Sequence, residues 1–584
     1  MNMRWNLDKL YTSFECEELK NDFQLVDKLI KDTTDFVNTN FTDTDNAKDK
    51  LEKYLETKNN IENCISRLYD YGYLTYSVDT KNVTALKQME RVESYLPKLT
   101  IIDVKFQKWI SDLDNLDEII ASSDMLKEHE FIIKSSKRLS KYLLSDAEEQ
   151  LIAEMQNTGS NAWAKLQDTV TSSLLVDYED EKLPLTVIRN YAYDPSAEKR
   201  KKAYEAELKA YEKIDQSSAA CLNAIKGEVV TIAKKRGYES PLDMTLVGAR
   251  MDKETLDAMM TAIKEYLPHF HKYLKKKAKM LGHEGSLPFY DLFAPVGEVD
   301  MSYTFEEARD FIVKNFSSFS NKLGNFADNA FENRWIDAEP REGKIGGAYC
   351  SNLHCIKESR IMANFSGSLN DVTTLAHELG HGYHGDCLKD ETSLNSDYPM
   401  PIAETASIFC ETIVMNAALK NATDEEALVI LETDIMGSNQ TIVDIYSRYL
   451  FETALFEKRK DASLSVDELK EIMLEAQKEA YGDGLDHNVL HPYMWNCKPH
   501  YYYFDANFYN FPYAFGLLFA KGLYAKYLEM GNDFLPKYDK LLEATGKNDV
   551  KDVLAIMDID SHDVDFWRSS LEIVKKDIDK FLAL

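Results

Sequence analysis

Between Asp371 and Gly385 the chain reads DVTTLAHELGHGYHG, and His377, Glu378 and His381 within it constrain the fold more than any other stretch. Two histidines four residues apart meet on one face only if the segment is a helix, and such a pair is the beginning of a tetrahedral metal site. Glu378 then stands beside the pair, where a carboxylate can take a proton from a water polarised by the metal. The fold must therefore supply a helix with a partly enclosed histidine face, a third ligand from another element, and hydrogen-bond donors for a developing oxyanion.

The third ligand cannot follow the metzincin pattern, which needs glycine at position 384 and histidine at position 387; the chain has His384 and Cys387 there. Glu404, in PIAETASIFCETI, opens the next apolar-periodic helix. It completes a His2Glu set that leaves a fourth position open for water. Ala403, Ala406 and Phe409 surround it, and acidic residues on an otherwise buried helix need partners. Glu411 lies two turns further along the same face, placed to accept the spare ring N–H of either His377 or His381 and so fix its tautomer. His384 shares the face of His381 and is a candidate for substrate contact. Gly380 and Gly382 each cost a helix about 1 kcal/mol relative to alanine, which close approach of another backbone would offset.

Two other regions supply the remaining parts. Glu332–Asn370 holds Gly343, Gly346 and Gly347 and the mixed run Ser359–Phe365, which reads as two or three strands of a small sheet just before the metal helix. An extended peptide can add itself to such an edge, so Gly346, Gly347 and Ala348 are candidates for contact with a substrate main chain. The segment Pro492–Gly516 packs six tyrosines and one histidine into a turn-rich stretch. His500, Tyr502, Tyr509 and Tyr513 can each donate a hydrogen bond, the stabilisation that acyl transfer needs where negative charge develops.

Elsewhere the periodicity is helical, and the fold class is mainly α with a small sheet beside the HExxH helix. Helical runs fill residues 4 to 180, and a break around Pro184 and Pro195 separates an N-terminal helical lobe, 1–185, from a catalytic region, 186–584. Helices are expected to resume just after Pro195 and run to about residue 236, and Thr304 with Glu307 reads as a capping box. The basic run Lys275–Lys279 reads as a solvated face. From Pro401 the chain is helical to its end, with breaks near Ala462, across Tyr481–Met494, at Gly531 and at Ser561–His562.

With 69 basic and 99 acidic residues the formal charge is -30, which argues against nucleic acid and anionic membrane surfaces as partners. The N-terminus lacks a signal pattern and no run of 18 apolar residues appears, so the expected location is the cytoplasm. Eight scattered cysteines read as reduced thiols. No obligate protein partner is indicated.

HELGHGYH, the AETAS glutamate with a carboxylate seven residues on, GGAYC with ESRIMANFSGSLNDVTTLAHE, and HYYYFDANFYNFPYAFG together resemble zinc metallopeptidases of the thimet oligopeptidase group. They are most similar to the oligoendopeptidase F branch, as is RWNLDKLYTSF at the start. The resemblance implies a two-lobed helical body with one Zn(2+) per chain at the bottom of a deep channel, acting as an endopeptidase on short unstructured peptides. It implies His377, His381 and Glu404 as ligands, Glu378 as base, Glu411 as support, His500 as a substrate-binding histidine and Tyr509 as the oxyanion tyrosine. Tyr513 matches less closely because Pro512 interrupts the spacing. The alternative, release of residues or dipeptides from a peptide end, needs a fixed charge for the terminal carboxylate; Arg341, Lys344 and Arg360 lie nearest in sequence.

Overall fold

The apolar positions of Ala47–Val78 recur at Leu51, Leu55, Ile61, Ile65 and Leu68, all buried on one face of a single helix. That spacing, repeated along the chain, builds a mainly helical protein. The computed structural model describes residues 1–297 and 301–584. The chain divides into two compact units that interleave along the sequence. The first comprises Met1–Leu143, Asp300–Ala418 and Lys526–Ile559; the second comprises Leu144–Val299, Leu419–Ala525 and Asp560–Leu584. The residue 185/186 boundary read from the sequence falls inside the second unit.

In the first unit the N-terminal helices pack around Leu51, Ile61, Leu68, Ile102 and Ile110. Phe41 stacks on Trp109 at 4.3 Å and Tyr54 on Phe106 at 4.1 Å. Leu353 and Met362 join this core from the small sheet. That sheet has three strands, β3 (Ile336–Asp337), β4 (Tyr349–Leu353) and β5 (Glu358–Met362), in the order β3-β5-β4. β3 runs parallel to β5, and β4 pairs antiparallel with it from Tyr349↔Met362 to Leu353↔Glu358. β4 is therefore an edge strand, and the HELGH helix, Leu369–Leu388, packs against β4 and β5. The expected sheet beside the metal helix is present.

The second unit is built on Leu222, Ile225, Phe451, Leu455 and Trp495. It also holds a hairpin that helical periodicity conceals, β1 (Leu175–Tyr178) and β2 (Glu181–Pro184). Only Val176 of these strands is buried, so no apolar alternation marks them. The helices expected between Pro195 and residue 236 are Ala197–Tyr211 and Asp215–Arg236. Lys277 corrects the reading of the basic run as a solvated face: it is fully buried, with Nζ 2.6 Å from Glu432 and 3.1 Å from the carbonyl of Leu292. The Thr304–Glu307 capping box forms as expected. Met400–Asn421 is long and apolar enough to cross a membrane, with mean hydropathy 1.3, but most of it is buried within the protein.

Candidate active site

Ser368 caps the HELGH helix, its Oγ accepting from Asp371 N–H while its own N–H donates back to the Asp371 carboxylate, which fixes where the helix begins and hence which face carries the histidines. Against that face lies the next helical stretch, where Glu404 occupies the turn between Met400–Ala403 and Thr405–Asn421. Gly380 sets the distance between the two. A Cβ there would lie 2.6 Å from the carbonyl oxygen of Ala406 and 2.6 Å from the Cα of Ser407. Gly382 and Gly385 make similar room, for the Phe326 ring and the Asn352 side chain.

This approach brings Glu404 Oε2 to 3.3 Å from His377 Nε2 and 3.4 Å from His381 Nε2. Bonds of about 2.0–2.1 Å at tetrahedral angles would put ligand atoms about 3.3–3.4 Å apart, so the spacing fits one zinc-sized cation. The three ligand atoms all lie within 4.8 Å of one another. Ser407 Oγ donates to the same Glu404 oxygen at 2.9 Å, holding the carboxylate in place; its spacing three residues after Glu404 was the available sequence signal. Glu411 Oε2 lies 3.3 Å from His377 Nδ1. The carboxylate left open between the two histidines thus serves His377.

The donor set also behaves electrostatically as a cation site. Burial lowers the His377 pKa, but the hydrogen bonds its ring donates to Glu404 and Glu411 outweigh it and push the value up to about 10. Glu404 moves the other way, far below the ordinary carboxylate range, because the hydrogen bonds of both histidines outweigh its own burial. At neutral pH the bare cluster holds a proton that a metal ion must displace. Replacing Glu411 with Gln should weaken zinc binding by about 10- to 100-fold, read by competition with a chromogenic chelator. An unchanged affinity would remove Glu411 from the site.

Glu378 is set apart from this cluster. It is 6% exposed, and its Oε2 is buried without a hydrogen-bond partner among the described residues. Burial pushes its pKa up, against the pull of the two histidines. An unpaired buried carboxylate oxygen is costly, and it is the chemistry expected of a group waiting to accept a proton.

The other candidates divide. Gly346 and Gly347 have open space where a Cβ would stand and, with Ala348, lead into the edge strand β4. His384 is not available to a substrate: it is fully buried, stacked on Tyr398 at 4.0 Å, and bonded through Nε2 to Thr545 Oγ1 at 2.8 Å. Tyr502 is likewise enclosed in an apolar core, at 1% exposure. His500, Tyr509 and Tyr513 form a group in the second unit. The His500 and Tyr509 rings stack at 5.6 Å, and the hydroxyls of Tyr509 and Tyr513 lie 3.0 Å apart. Asn510 bonds His500 Nε2 at 2.8 Å, a partner that the sequence reading missed because nothing local marks it.

Comparison with known proteins gives two family matches, "Peptidase family M3" over residues 190–573 and "Oligopeptidase F" over residues 110–175. The chain is 25% identical over 577 residues to Oligopeptidase PepF of Bacillus subtilis, covering 95% of this chain and 83% of that protein. It is 26% identical over 604 residues to an Oligoendopeptidase F homolog of Borreliella burgdorferi, covering 98% of each. A crystal structure from Chlamydophila abortus shares the fold, with a TM-score of 0.86 at 23% identity, over 99% of this chain and 98% of that one.

Proposed function

We propose, from the premise that the chain belongs to peptidase family M3, that it is a zinc-dependent endopeptidase hydrolysing internal bonds of short, unstructured peptides. The observation that carries this reading is the tetrahedral spacing of Glu404 with both imidazoles, beside a buried Glu378 oxygen that has no partner among the described residues.

His377, His381 and Glu404 would hold one zinc ion, oriented through Glu411 and Ser407. When bound, zinc supplies Lewis-acid polarisation of water and of the scissile carbonyl. Glu378 takes the proton of the attacking water and delivers it to the leaving nitrogen, which its raised pKa favours. The free edge of β4, approached through Gly346–Ala348, offers main-chain hydrogen bonds to an extended peptide while leaving side-chain choice broad. His500 and Tyr509 are assigned to the substrate as hydrogen-bond donors.

None of the three cations considered for fixing a chain terminus favours release from a peptide end. Arg341 is held bidentately by Asp337, at 2.7 and 2.9 Å. Lys344 is buried on Asp337 and three backbone carbonyls. Arg360 is 2% exposed and bonded to Asn6, Ser359 and Glu358. All three are structural. A short peptide acetylated at one end and amidated at the other should therefore yield internal fragments by mass spectrometry. A chelator should abolish the reaction and added zinc restore it. Cleavage confined to the unblocked peptide would favour the terminal activity instead.

A further inference from the structure

His500 is positioned by three side chains whose hydrogen-bonding roles leave no freedom. Arg448 stands between two of them: it pairs with Asp444, and its Nη1 donates to Asn510 Oδ1 at 2.8 Å. A guanidinium can only donate, so the amide of Asn510 must present its oxygen to Arg448. Its nitrogen then faces His500, and Asn510 Nδ2 lies 2.8 Å from His500 Nε2. An amide nitrogen can only donate, so Nε2 must accept. A neutral ring that accepts at Nε2 carries its proton on Nδ1.

The start of the relay is equally fixed. Gln440–Asp444 is a π-helical turn between Asp424–Asn439 and Ile445–Arg459, and such an insertion re-aims the side chains around it. Asp444 is held there by Gln440 at 2.7 Å and Tyr481 at 3.2 Å. The far end is tied down as well: Phe508 N–H donates to buried Glu452 at 3.0 Å, and Asn507 accepts from buried Lys226 at 2.7 Å. All of these residues belong to the second unit.

We propose that Asp444, Arg448 and Asn510 are positioning residues that impose one tautomer on His500, neutral with its proton on Nδ1, making it a hydrogen-bond donor through Nδ1. The electrostatic surroundings agree. Burial, then Arg448, Lys226 and Lys498, lower the pKa of His500 to about 3, with Asp444 acting weakly in the opposite direction. The tautomer stands on the hydrogen-bond geometry alone; its catalytic consequence rests on the reading of His500 as a substrate contact.

Asn510→Asp tests the relay, because a carboxylate accepts from both sides and demands a donor from Nε2. Zinc-loaded enzyme with 15N-labelled histidine is followed by NMR, and the His500 signals are identified among the twelve histidines by their loss in His500→Gln. Wild type should show an Nδ1–H ring unchanged from neutral to mildly acidic pH. Asn510→Asp should show Nε2–H and a pKa raised toward neutrality, with kcat/KM down about 100-fold, mostly in kcat. Arg448→Gln frees the amide to turn and should give mixed tautomers, a second reading should Asn510→Asp not fold. Arg448→Lys, still a pure donor, should keep the wild-type tautomer. An Nε2–H ring in wild type, or an unchanged ring in both Asn510→Asp and Arg448→Gln, overturns the relay. The expected change of tautomer with unchanged kinetics instead overturns the assignment of His500 to the substrate.

Discussion

Glu378→Gln is expected to lower kcat by about 10²–10⁴-fold, the range of a lost general base, while the protein keeps one zinc per chain. The separation follows from the geometry. The carboxylate lies outside the three-atom cluster of His377, His381 and Glu404, so its charge is not needed to hold the ion. Glutamine keeps the shape and the buried position but cannot take a proton. Because Oε2 has no partner among the described residues, the substitution breaks no hydrogen bond of that atom with them, and thermal stability should change little. The measurement is kcat on a quenched peptide together with zinc by mass spectrometry on the same sample. Activity within a few-fold of wild type would remove Glu378 from the reaction, and loss of zinc would show that its charge belongs to the metal site after all.

The parts of this site that the sequence discloses are those fixed by local spacing. His377, His381 and Glu378 sit within one turn and a half of a helix, and Glu404 and Glu411 are two turns apart on another, so helical geometry alone relates the members of each group. What joins the groups is tertiary. Whether Glu411 serves His377 or His381 depends on how the second helix crosses the first, and only its 3.3 Å approach to His377 Nδ1 decides it. His384 shows the reverse failure: helical spacing puts it near His381, but the packing of Tyr398 and Thr545 encloses it. The same limit governs the fold. Long amphipathic helices and the sheet before HELGH are legible from periodicity and glycine, whereas the hairpin at Leu175–Pro184 buries too little to leave a pattern. Lys277 reads as surface because its partner, Glu432, is 155 residues away. The Asn510–Arg448–Asp444 relay is invisible for the same reason, since Arg448 and Asn510 lie 62 residues apart.

Gly380→Ala should uncouple the two halves of the metal site. In a helix interior alanine is favoured over glycine by about 1 kcal/mol, so on propensity alone the change stabilises. At Gly380 the added methyl would stand 2.6 Å from Ala406 O, 2.6 Å from Ser407 Cα and 2.9 Å from Ala406 C. These are backbone atoms, which cannot rotate aside as a side chain does, so the helices must separate. Overpacking of this kind costs about 1–3 kcal/mol, which cancels or exceeds the propensity gain. The larger effect falls on the metal, because Ala406 and Ser407 are two and three residues from Glu404, and Ser407 is the side chain that steadies it. Moving that turn takes Glu404 away from both imidazoles while leaving the imidazoles in place. Zinc affinity should fall by at least about 10-fold, with kcat/KM falling at limiting zinc and partly recovering at excess. Gly437→Ala is the control: that glycine lies inside the helix Asp424–Asn439, and no described neighbour comes within 4 Å of where its added methyl would stand. There the same substitution should raise stability by up to about 1 kcal/mol and leave zinc binding alone. If Gly380→Ala also bound zinc normally, the close helix contact would be a packing feature only, and the ligand geometry would have to be maintained by Ser407 and Glu411 without it.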